Sequence, residues 1–569
     1  MESFPAEEGA RTPSLADDPA LGLSQRAKLE ILGAVMLALF LGALDQTIVG
    51  TALPRIVTEL GGNEYYNWVF TIYLLTSTIT VPFYGKLSDI YGRKPLLMIG
   101  VTIFLIGSAL SGLSQNMGML ILFRGIQGLG AGSLFPISLA VIGDLFTPQE
   151  RGKYQGLSGA VFGLSSIVGP FAGGFLTDTV GWHWIFYVNI PIGIVSLFVL
   201  ARLLPTVKRP DASRNLDLLG AGVFIVAIST FLIGLTNKQT ADWSAPEVGG
   251  LIGIGLLLGA VFVLIESRAK EPIVPLGLFR NRTYASSMLS TFLVSFGFFG
   301  AIVFLPRWFQ FVAGSSARDS GLQILPLLAG LIVSSIISGI LVSRTGRYKI
   351  IILSGLVIMT VGLVLMTQLK ANTDLPTLWV WMFVAGAGIG PTLSVFTIVV
   401  QNAVPFRQLG VATSNLTFFR QIGGSVGLAI TGTIFGTRLV EELPAQLTAA
   451  GVPQQAVSQF TGAGTGALDN LIGVGGDLGA QILAMVPAAI RPAVEPLVPA
   501  IVGGIHNAFT IAVTATFQLS VVTTILAAGA ALIMREIPLR TTIGEAPIPT
   551  EAPVAADVPP RWTGSATTD

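Results

Sequence analysis

The stretch "GKLSDIYGRKPLL", residues 85–97, concentrates charge in a chain that otherwise carries little of it. Only 11% of the chain is Asp, Glu, Lys or Arg, yet Lys86, Asp89, Arg93 and Lys94 stand close together here, between two long apolar runs. Such a cluster predicts a turn at a membrane surface, because basic residues hold a loop on the cytoplasmic side. Topology alone does not account for the acid or for the glycines of the stretch.

The composition of the whole chain indicates a polytopic all-α membrane protein. Hydrophobic residues make up 52% of the 569 residues, and the mean hydropathy is +0.74. Many stretches of about 20 residues lack an ionised side chain, which is the length of helix that crosses a bilayer core. The net charge of +1 gives no support for nucleic-acid binding, and the absence of Cys excludes thiolate sites and disulfides. With only two His, we expect no metal and no cofactor.

Fourteen apolar spans are predicted. They cover residues 29–53, 66–84, 95–114, 117–142, 154–178, 183–203, 216–236, 249–267, 284–306, 321–343, 349–369, 377–400, 409–436 and 511–534. An even number places both termini on one side, and most Lys and Arg lie on that side, which predicts cytoplasmic termini in a plasma (inner) membrane. The polar tails, 1–28 and 536–569, are expected to be disordered, and the first lacks a cleavable signal pattern.

The charged stretch recurs in the second half of the chain. "GILVSRTGRYKII" begins at residue 339, after the tenth span, and both copies follow the second span of a six-span group. The matching residues, at a shift of 254 (339 minus 85), are Gly85, Leu87, Gly92 and Arg93 with Gly339, Leu341, Gly346 and Arg347. Repeated halves with a site between them are typical of secondary transporters. We predict a six-helix bundle over 29–203, a linker with two extra helices over 204–283, and a second six-helix bundle over 284–535.

The outer loop that we predict over residues 437–510 is long and rich in Gly, Ala and Pro. Its apolar runs, such as "AQILAMVPAAI", are too short to span the bilayer. They could lie on the membrane surface or cap the outer mouth, and a plain linker is an equal alternative. A partner in the cell envelope is a further hypothesis for this segment.

Four stretches together resemble the major facilitator superfamily. They are "LDQTIVGTALPRI" in the first span, "GKLSDIYGRKPLL" after the second, "RGIQGLGAG" (124–132) in the fourth and "GLSSIVGPFAGG" (163–174) in the fifth. The fourteen spans resemble its drug:proton antiporter group with fourteen transmembrane helices. The resemblance implies two six-helix bundles, with two inserted helices, that transport by alternating access.

Gly85, Asp89, Gly92 and Arg93 form the predicted gating loop. Gly85 lets two helices approach closely, and Gly92 permits a tight reversal. Asp89 can pair with Arg93 and can also face the N-terminus of a helix from the other half, where the helix dipole favours an anion. The resemblance implies that this latch holds the cytoplasmic side shut in the outward-open state. Ser343 replaces the acid in the second copy, which predicts a weaker latch there.

Asp45 is the only carboxylate deep within a predicted span, and Arg124 lies at a similar depth in the fourth span. Counting from the outer span ends puts them about 12 Å and about 10 Å deep. A charge at the bilayer centre costs about 2.5–3.5 kcal/mol or more, so it needs a partner or a function. We predict a switchable pair, in which Asp45 takes up a proton on separation from Arg124 and releases it when the two rejoin. A static buried salt bridge is the alternative.

Gly169 and Pro170, followed by Gly173 and Gly174, interrupt the fifth span. Pro frees a backbone carbonyl and Gly thins the helix, which a membrane tolerates when neighbours satisfy the backbone. An ordinary packing kink would account for this pattern. The family resemblance implies instead an antiporter kink that seals against the other half and favours export.

Polar and aromatic side chains within the spans are candidates for lining a substrate cavity. Arg420 lies mid-span in "NLTFFRQIGGSVG", which resembles the R-Q-x-G-G pattern of the fourteen-helix group. The candidates are Trp68, Tyr73, Gln127, Phe135, Asn415, Arg420 and Gln421. One deep acid against two deep arginines favours neutral, monovalent or anionic amphiphiles over dications.

These features predict a proton-coupled secondary active transporter that exports hydrophobic or amphipathic small molecules, as in multidrug efflux. A broad apolar cavity with few polar anchors suits many ligands loosely. The alternative is a dedicated exporter of a lipid, a secondary metabolite or a peptide, which the long outer loop motivates. A membrane enzyme or receptor is disfavoured, because the sequence shows no metal constellation, no nucleophile–base pair and no soluble catalytic domain. The expected partners are small amphipathic substrates, protons and the lipid bilayer.

Overall fold

The computed structural model describes residues 23–61, 65–206, 217–238, 241–454, 457, 478–485 and 491–540. Within these ranges the chain is helical, with turns and without β-strands. Most of both predicted tails, the middle of the predicted outer loop and part of the 204–283 linker lie outside the described residues. The prediction of an all-α membrane fold is confirmed.

Each of the fourteen predicted spans coincides with a helical segment. The segments are α1 (Gln25–Leu60), α2 (Tyr66–Tyr91), α3 (Arg93–Gly112), α4 (Met117–Leu145), α5 (Pro148–Thr179), α6 (Trp184–Leu203), α7 (Leu218–Asn237), α8 (Pro246–Glu266), α9 (Arg282–Phe311), α10 (Leu325–Thr345), α11 (Tyr348–Met366), α12 (Leu375–Asn402), α13 (Leu409–Ala449) and α14 (Val498–Leu532). Among the described residues, twelve helices are long and apolar enough to cross a membrane. The other two, α2 and α13, are rich in Thr, Ser and Gly, and α13 also carries Arg420 and Gln421.

The helix ends follow from capping residues in the sequence. Thr147 and Glu150 form a reciprocal capping box at the start of α5. The Asp374 carboxylate accepts a hydrogen bond from the Thr377 amide at the start of α12. Gly92 ends α2 with φ of 94°, a conformation that favours glycine, so α3 can begin at the next residue.

The two largest apolar clusters correspond to the two predicted six-helix groups. Buried side chains such as Val35, Phe104 and Leu134 form the core of the first half. A larger cluster built from α9 to α14 forms the core of the second half, with Leu331 and Met359 fully buried. The longest helices therefore bury one side within their own half and leave another side for lipid or for the other half.

The internal repeat also appears in how helices touch. A Cβ atom built on Gly107 of α3 would overlap the backbone of Gln127 in α4. A Cβ atom on Gly362 of α11 would overlap the backbone of Ala385 in α12 in the same way. Small residues at such contacts let membrane helices approach closely, and the two halves use the same device at equivalent places.

The two extra helices, α7 and α8, lie beside the two halves. Phe224 of α7 contacts Phe83 of α2 and Phe418 of α13, with ring centroids 5.9 Å and 5.5 Å apart. Leu232 of α7 packs in the same apolar cluster as Leu75 of α2. The inserted helix α7 therefore contacts both halves, and Phe262 of α8 packs against Phe224 of α7.

The predicted outer loop over 437–510 is shorter in the structure than we expected. Residues 437–449 continue α13, and residues 498–510 belong to α14. Leu443, Leu447, Ile501 and Ile505 are buried in one apolar cluster, so the two helices stay paired. With 41 residues, α13 is about 60 Å long, roughly twice the thickness of a bilayer core. A short helix, Leu478–Met485, adds the fully buried Ile482 to this cluster.

Candidate proton-coupling and gating sites

Asp45 of α1 and Arg124 of α4 form an ion pair inside the first half. Arg124 Nη1 donates to Asp45 Oδ2 at 2.6 Å, and both side chains are fully buried. Burying two charges costs several kcal/mol per ion, so such a pair is stable only with good geometry and further hydrogen bonds. The neighbouring polar side chains supply those bonds.

Gln127 and Tyr73, two of the predicted cavity residues, contact the Asp45–Arg124 ion pair. Gln127 Nε2 donates to Asp45 Oδ1 at 2.7 Å, and Gln127 Oε1 accepts from Arg124 Nη1 at 2.8 Å. The Arg124 guanidinium carbon lies 4.1 Å from the centroid of the Tyr73 ring, a cation–π contact. Both residues are buried, so they hold the ion pair in place from α4 and α2.

Asn189 of α6 and Ser108 of α3 complete the cluster, and sequence analysis missed both. Asn189 Nδ2 lies 3.3 Å from Asp45 Oδ1 and 3.0 Å from Ser108 Oγ. A single uncharged polar residue in a span gives a weak signal, because many such residues only bond their own backbone. An amide in so apolar a segment nevertheless needs a partner when it is buried, which was the available clue.

The cluster also contains buried polar atoms that make no hydrogen bond. Arg124 Nη2 and Asn189 Oδ1 are buried without a hydrogen-bond partner among the described residues. Buried polar groups are nearly always satisfied, so unsatisfied atoms beside a charge pair require an explanation. These atoms leave room for a second hydrogen-bond arrangement of the cluster.

The residues of the predicted gating loop meet where α2 turns into α3. Arg93 Nη2 lies 2.7 Å from Asp89 Oδ1, and Arg93 Nε lies 2.9 Å from Asp144 Oδ2 of α4. Arg93 Nη1 also donates to Ser88 Oγ at 2.6 Å. Both Asp89 and Arg93 are 8% exposed, so this network is shielded from bulk solvent.

Asp89 also bonds to the other half of the molecule. The backbone amides of Gly410 and Val411, at the start of α13, donate to its two carboxylate oxygens at 3.1 Å and 2.8 Å. These amides have no partner within their own helix, and the helix dipole adds attraction for an anion. Asp89 therefore caps a helix of the second half while it pairs with Arg93.

Two glycines make this contact sterically accessible. A Cβ atom on Gly85 would overlap the Ser414 side chain of α13, and one on Gly410 would overlap the Arg93 guanidinium. The absence of side chains at both positions brings α2 and α13 together, in the manner of small-residue contacts between membrane helices.

The second copy of the loop makes a different contact. Gly339 of α10 lies against the backbone of Gly152 in α5, and Ser343 Oγ donates to the Gln149 carbonyl. A neutral hydrogen bond stands where the first copy has a carboxylate on a helix N-terminus. Charge-assisted bonds are roughly twice as strong as neutral ones, so the two contacts differ in strength.

The predicted antiporter kink lies between α1 and the second half, within a helix that runs unbroken from Pro148 to Thr179. Cβ atoms on Gly169 and Gly173 would overlap α1, whereas Gly174 faces open space. Pro170 points towards the second half, 3.4 Å from a Cβ atom built on Gly321. The motif therefore provides close packing on one side and a contact with the other half on the other.

The remaining cavity candidates have different surroundings. Asn415 is buried and donates to Tyr284 Oη at 2.9 Å, so it links α13 to α9. Phe135 packs against the core of the first half. Trp68 and Gln421 are partly buried, and Gln421 Oε1 has no hydrogen-bond partner among the described residues.

Arg420 lines a small cavity between α9, α12 and α13.

In the described part of the chain, no group of three or more His, Asp or Glu is placed to hold a metal ion.

The model of the Major Facilitator Superfamily matches residues 35–428, well over half of the sequence. The chain belongs to the Major Facilitator Superfamily. This superfamily member is a multi-pass membrane protein, and transport of small substrates is the activity of its superfamily.

Curated relatives of this superfamily member cover most of its length. It is 40% identical over 415 residues to the multidrug transporter protein MdtP of Bacillus subtilis, covering 73% of this chain and 76% of the relative. It is 34% identical over 517 residues to multidrug resistance protein 3 of Bacillus subtilis, covering 90% and 96%. The solved structure of the proton:xylose symporter XylE superposes with a TM-score of 0.56 at 13% identity, covering 89% of this chain and 95% of that one, which shows a shared fold.

Proposed function

We propose that this chain exports amphipathic small molecules in exchange for protons, by alternating access between its two halves. The similarity to two multidrug proteins supports the substrate class. The observation that carries the proton coupling is the fully buried pair of Asp45 and Arg124. A membrane interior retains ionisable residues mainly where they serve transport.

In this scheme Asp45 carries the proton. In the structure, Arg124 and Gln127 donate hydrogen bonds to the two oxygens of this carboxylate. A helix movement that separates Asp45 from Arg124 leaves a buried carboxylate, which takes up a proton because desolvation disfavours the charged form. Each proton that then moves inward down 100 mV supplies about 2.3 kcal/mol for substrate efflux.

The latch at Asp89 sets which side is open. Its bonds to the start of α13 join the halves near the turn between α2 and α3, so they favour conformations closed on that side. The contact of Pro170 with the second half supports a sealing role for the kink in α5. By the positive-inside rule, the latch side and both termini are cytoplasmic, and the protein lies in the plasma (inner) membrane.

Transport in proteoliposomes tests this function. Purified protein is reconstituted with cationic, neutral and anionic fluorescent amphiphiles, and an imposed pH gradient drives transport with and without an uncoupler. We expect gradient-driven movement of several dyes that the uncoupler abolishes. Asp45→Asn should lose gradient-driven movement, because an amide cannot carry a proton. It should keep dye binding, because the substrate cavity is unchanged.

The matched control is Asp374→Asn, the same chemical change at an exposed N-cap where Asn is also a good cap. Wild-type rates of uphill transport in Asp45→Asn would refute Asp45 as the carrier.

A dedicated exporter of a lipid, a secondary metabolite or a peptide is the second candidate. The pairing of α13 and α14 beyond the length of a bilayer favours it, since this surface could guide a long substrate. Vesicles with fluorescent lipid distinguish the two: movement of lipid without movement of any dye would replace the multidrug proposal. Neither the described contacts nor the relatives support an envelope partner.

A further inference from the structure

Arg420 differs from Arg124 in lacking a counter-charge. Within the described residues, no ion pair or hydrogen bond to its guanidinium is present, and its Nη2 atom is buried without a partner. Arg remains protonated in proteins, so the charge cannot be removed by losing a proton. Arg420 is partly buried within a membrane-spanning helix, where an unpaired charge is costly, and an anion bound from outside the chain would offset that cost.

The cavity at Arg420 is formed by three helices of the second half. Its polar wall consists of Arg420 with Thr291, Ser295 and Thr392, and its apolar wall includes Phe298 and Phe396. The cavity has a volume of about 10 Å³, which is close to the space that one water-sized group requires. It therefore accepts a single oxygen atom of a head group and not a whole drug molecule.

The hydroxyl groups of the cavity indicate which head group fits. Ser295 and Thr392 donate to backbone carbonyls of their own helices at 2.8 Å and 2.7 Å, so their protons are engaged. Thr291 Oγ1 is buried without a hydrogen-bond partner among the described residues, as is Arg420 Nη2. The cavity thus offers unused donors from two different helices. A group that only accepts hydrogen bonds and carries negative charge satisfies both.

The cavity lies next to the interface between the halves. Phe298, one of its walls, contacts Phe162 of α5, with ring centroids 5.6 Å apart. An apolar body attached to a head group in the cavity would therefore lie against aromatic rings from both halves. Aromatic side chains offer large, rigid contact area to an apolar ligand with little loss of conformational freedom.

We propose that Arg420 and Thr291 form an anion subsite, which binds the carboxylate of a singly charged amphiphile. The subsite rests on the proposed function in one respect, that the amphiphile is the exported substrate. The binding itself requires neither a proton gradient nor Asp45.

Equilibrium binding to the purified full-length protein tests the subsite. The probes are 11-(dansylamino)undecanoic acid and its carboxamide, which share a fluorophore and a chain and differ in the charge of the head group. We expect the wild type to bind the acid about tenfold more tightly than the amide, the size of effect that a hydrogen bond to a charged group supplies. Equal affinity for acid and amide would overturn the proposal.

Three variants locate the effect. Arg420→Gln should abolish the preference for the acid while it keeps amide affinity, and Arg420→Lys should restore part of the preference. Thr291→Val should weaken acid binding about threefold or more and serves as the independent probe if Arg420→Gln does not fold. Arg438→Gln, which removes an exposed arginine far along the same helix, is the matched control and should bind both probes as the wild type does. Acid preference that survives both Arg420→Gln and Thr291→Val would refute the subsite.

The test separates this inference from the proposed function. If the acid preference depends on Arg420 but no dye is exported, the subsite stands and the efflux function fails. If dyes are exported under a gradient but acid and amide bind alike, the function stands and the subsite fails.

Discussion

The Asp89 carboxylate of α2 accepts a 2.8 Å hydrogen bond from the Val411 amide at the start of α13. This bond crosses from the first half of the molecule to the second. The same carboxylate pairs with Arg93, so one side chain connects the turn between α2 and α3 with the opposite half. Any conformation that opens this side must separate Asp89 from Val411.

Asp89→Asn should shift the protein towards conformations open on this side. Removing the charge from the α13 N-terminus loses about 1–2 kcal/mol of charge–dipole energy, which is roughly a tenfold change in the conformational equilibrium. The chain has no Cys, so spin labels can be placed on Cys introduced at Tyr91 and Arg407, both exposed near this contact. We expect the longer distances to become more populated. Asp178→Asn, an exposed acid elsewhere, is the control, and an unchanged distance distribution in Asp89→Asn would contradict the latch.

The Asp45–Arg124 pair should behave as a unit in stability measurements. Arg124→Gln alone leaves a buried carboxylate unpaired and should lower the free energy of unfolding by about 3–5 kcal/mol. Adding Asp45→Asn should recover much of this loss, because two neutral amides can hydrogen bond to each other and to Gln127. Thermal unfolding in detergent of both single variants and the double variant measures the coupling. A double variant whose loss equals the sum of the single losses would show that the charges do not interact.

Asn189→Ala should reduce gradient-driven transport without preventing folding. The substitution removes one amide donor from Asp45 and releases the link to Ser108, at a cost of about 1–1.5 kcal/mol or roughly tenfold in rate. Dye transport in proteoliposomes measures the effect. Ser196→Ala is the control, since Ser196 bonds α6 to the Ala34 carbonyl of α1 outside the cluster. Equal rates in the two variants would exclude Asn189 from the coupling machinery.

Gly107→Ala should destabilise the first half by about 1–3 kcal/mol, since the added methyl group forces α3 away from α4. Gly253→Ala on α8 makes the same change where nothing lies within 4 Å, and it should be neutral or slightly stabilising. Unfolding temperatures of the two variants test this difference. A Gly107→Ala protein as stable as Gly253→Ala would show that the contact between α3 and α4 accommodates a methyl group without cost.

Much of the architecture was predictable because lipid imposes a simple rule on composition. Long apolar runs mark helices, and the repeated loop marks the two halves. The depth of Asp45 and Arg124 in their spans suggested one level, and the structure joins them at 2.6 Å. Their part in proton coupling remains a prediction. Asn189 was harder to predict, since the cost of burying an uncharged amide stands out less in a sequence than the cost of burying a charge.

The paired end of α13 and start of α14, which we predicted as an outer loop, were harder to predict. Hydropathy measures which residues contact lipid, and it stops at the bilayer surface although the helix continues. The spacing of Leu439, Leu443 and Leu447 at every fourth residue was a readable sign of a buried helix face. We read that segment by composition, as a Gly/Ala/Pro-rich loop, and so placed the helix end too early.

The continuity of α13 has a mechanical consequence. The first turn of α13 is hydrogen bonded to Asp89. Arg420 lies about 15 Å further along the helix, and the helix ends about 44 Å beyond that arginine. If α13 turned as a rigid body about a point near Arg420, its C-terminal end would move roughly three times as far as its first turn. Binding in the cavity at Arg420 and release of Asp89 would then be transmitted to the far end of α13 as a single movement.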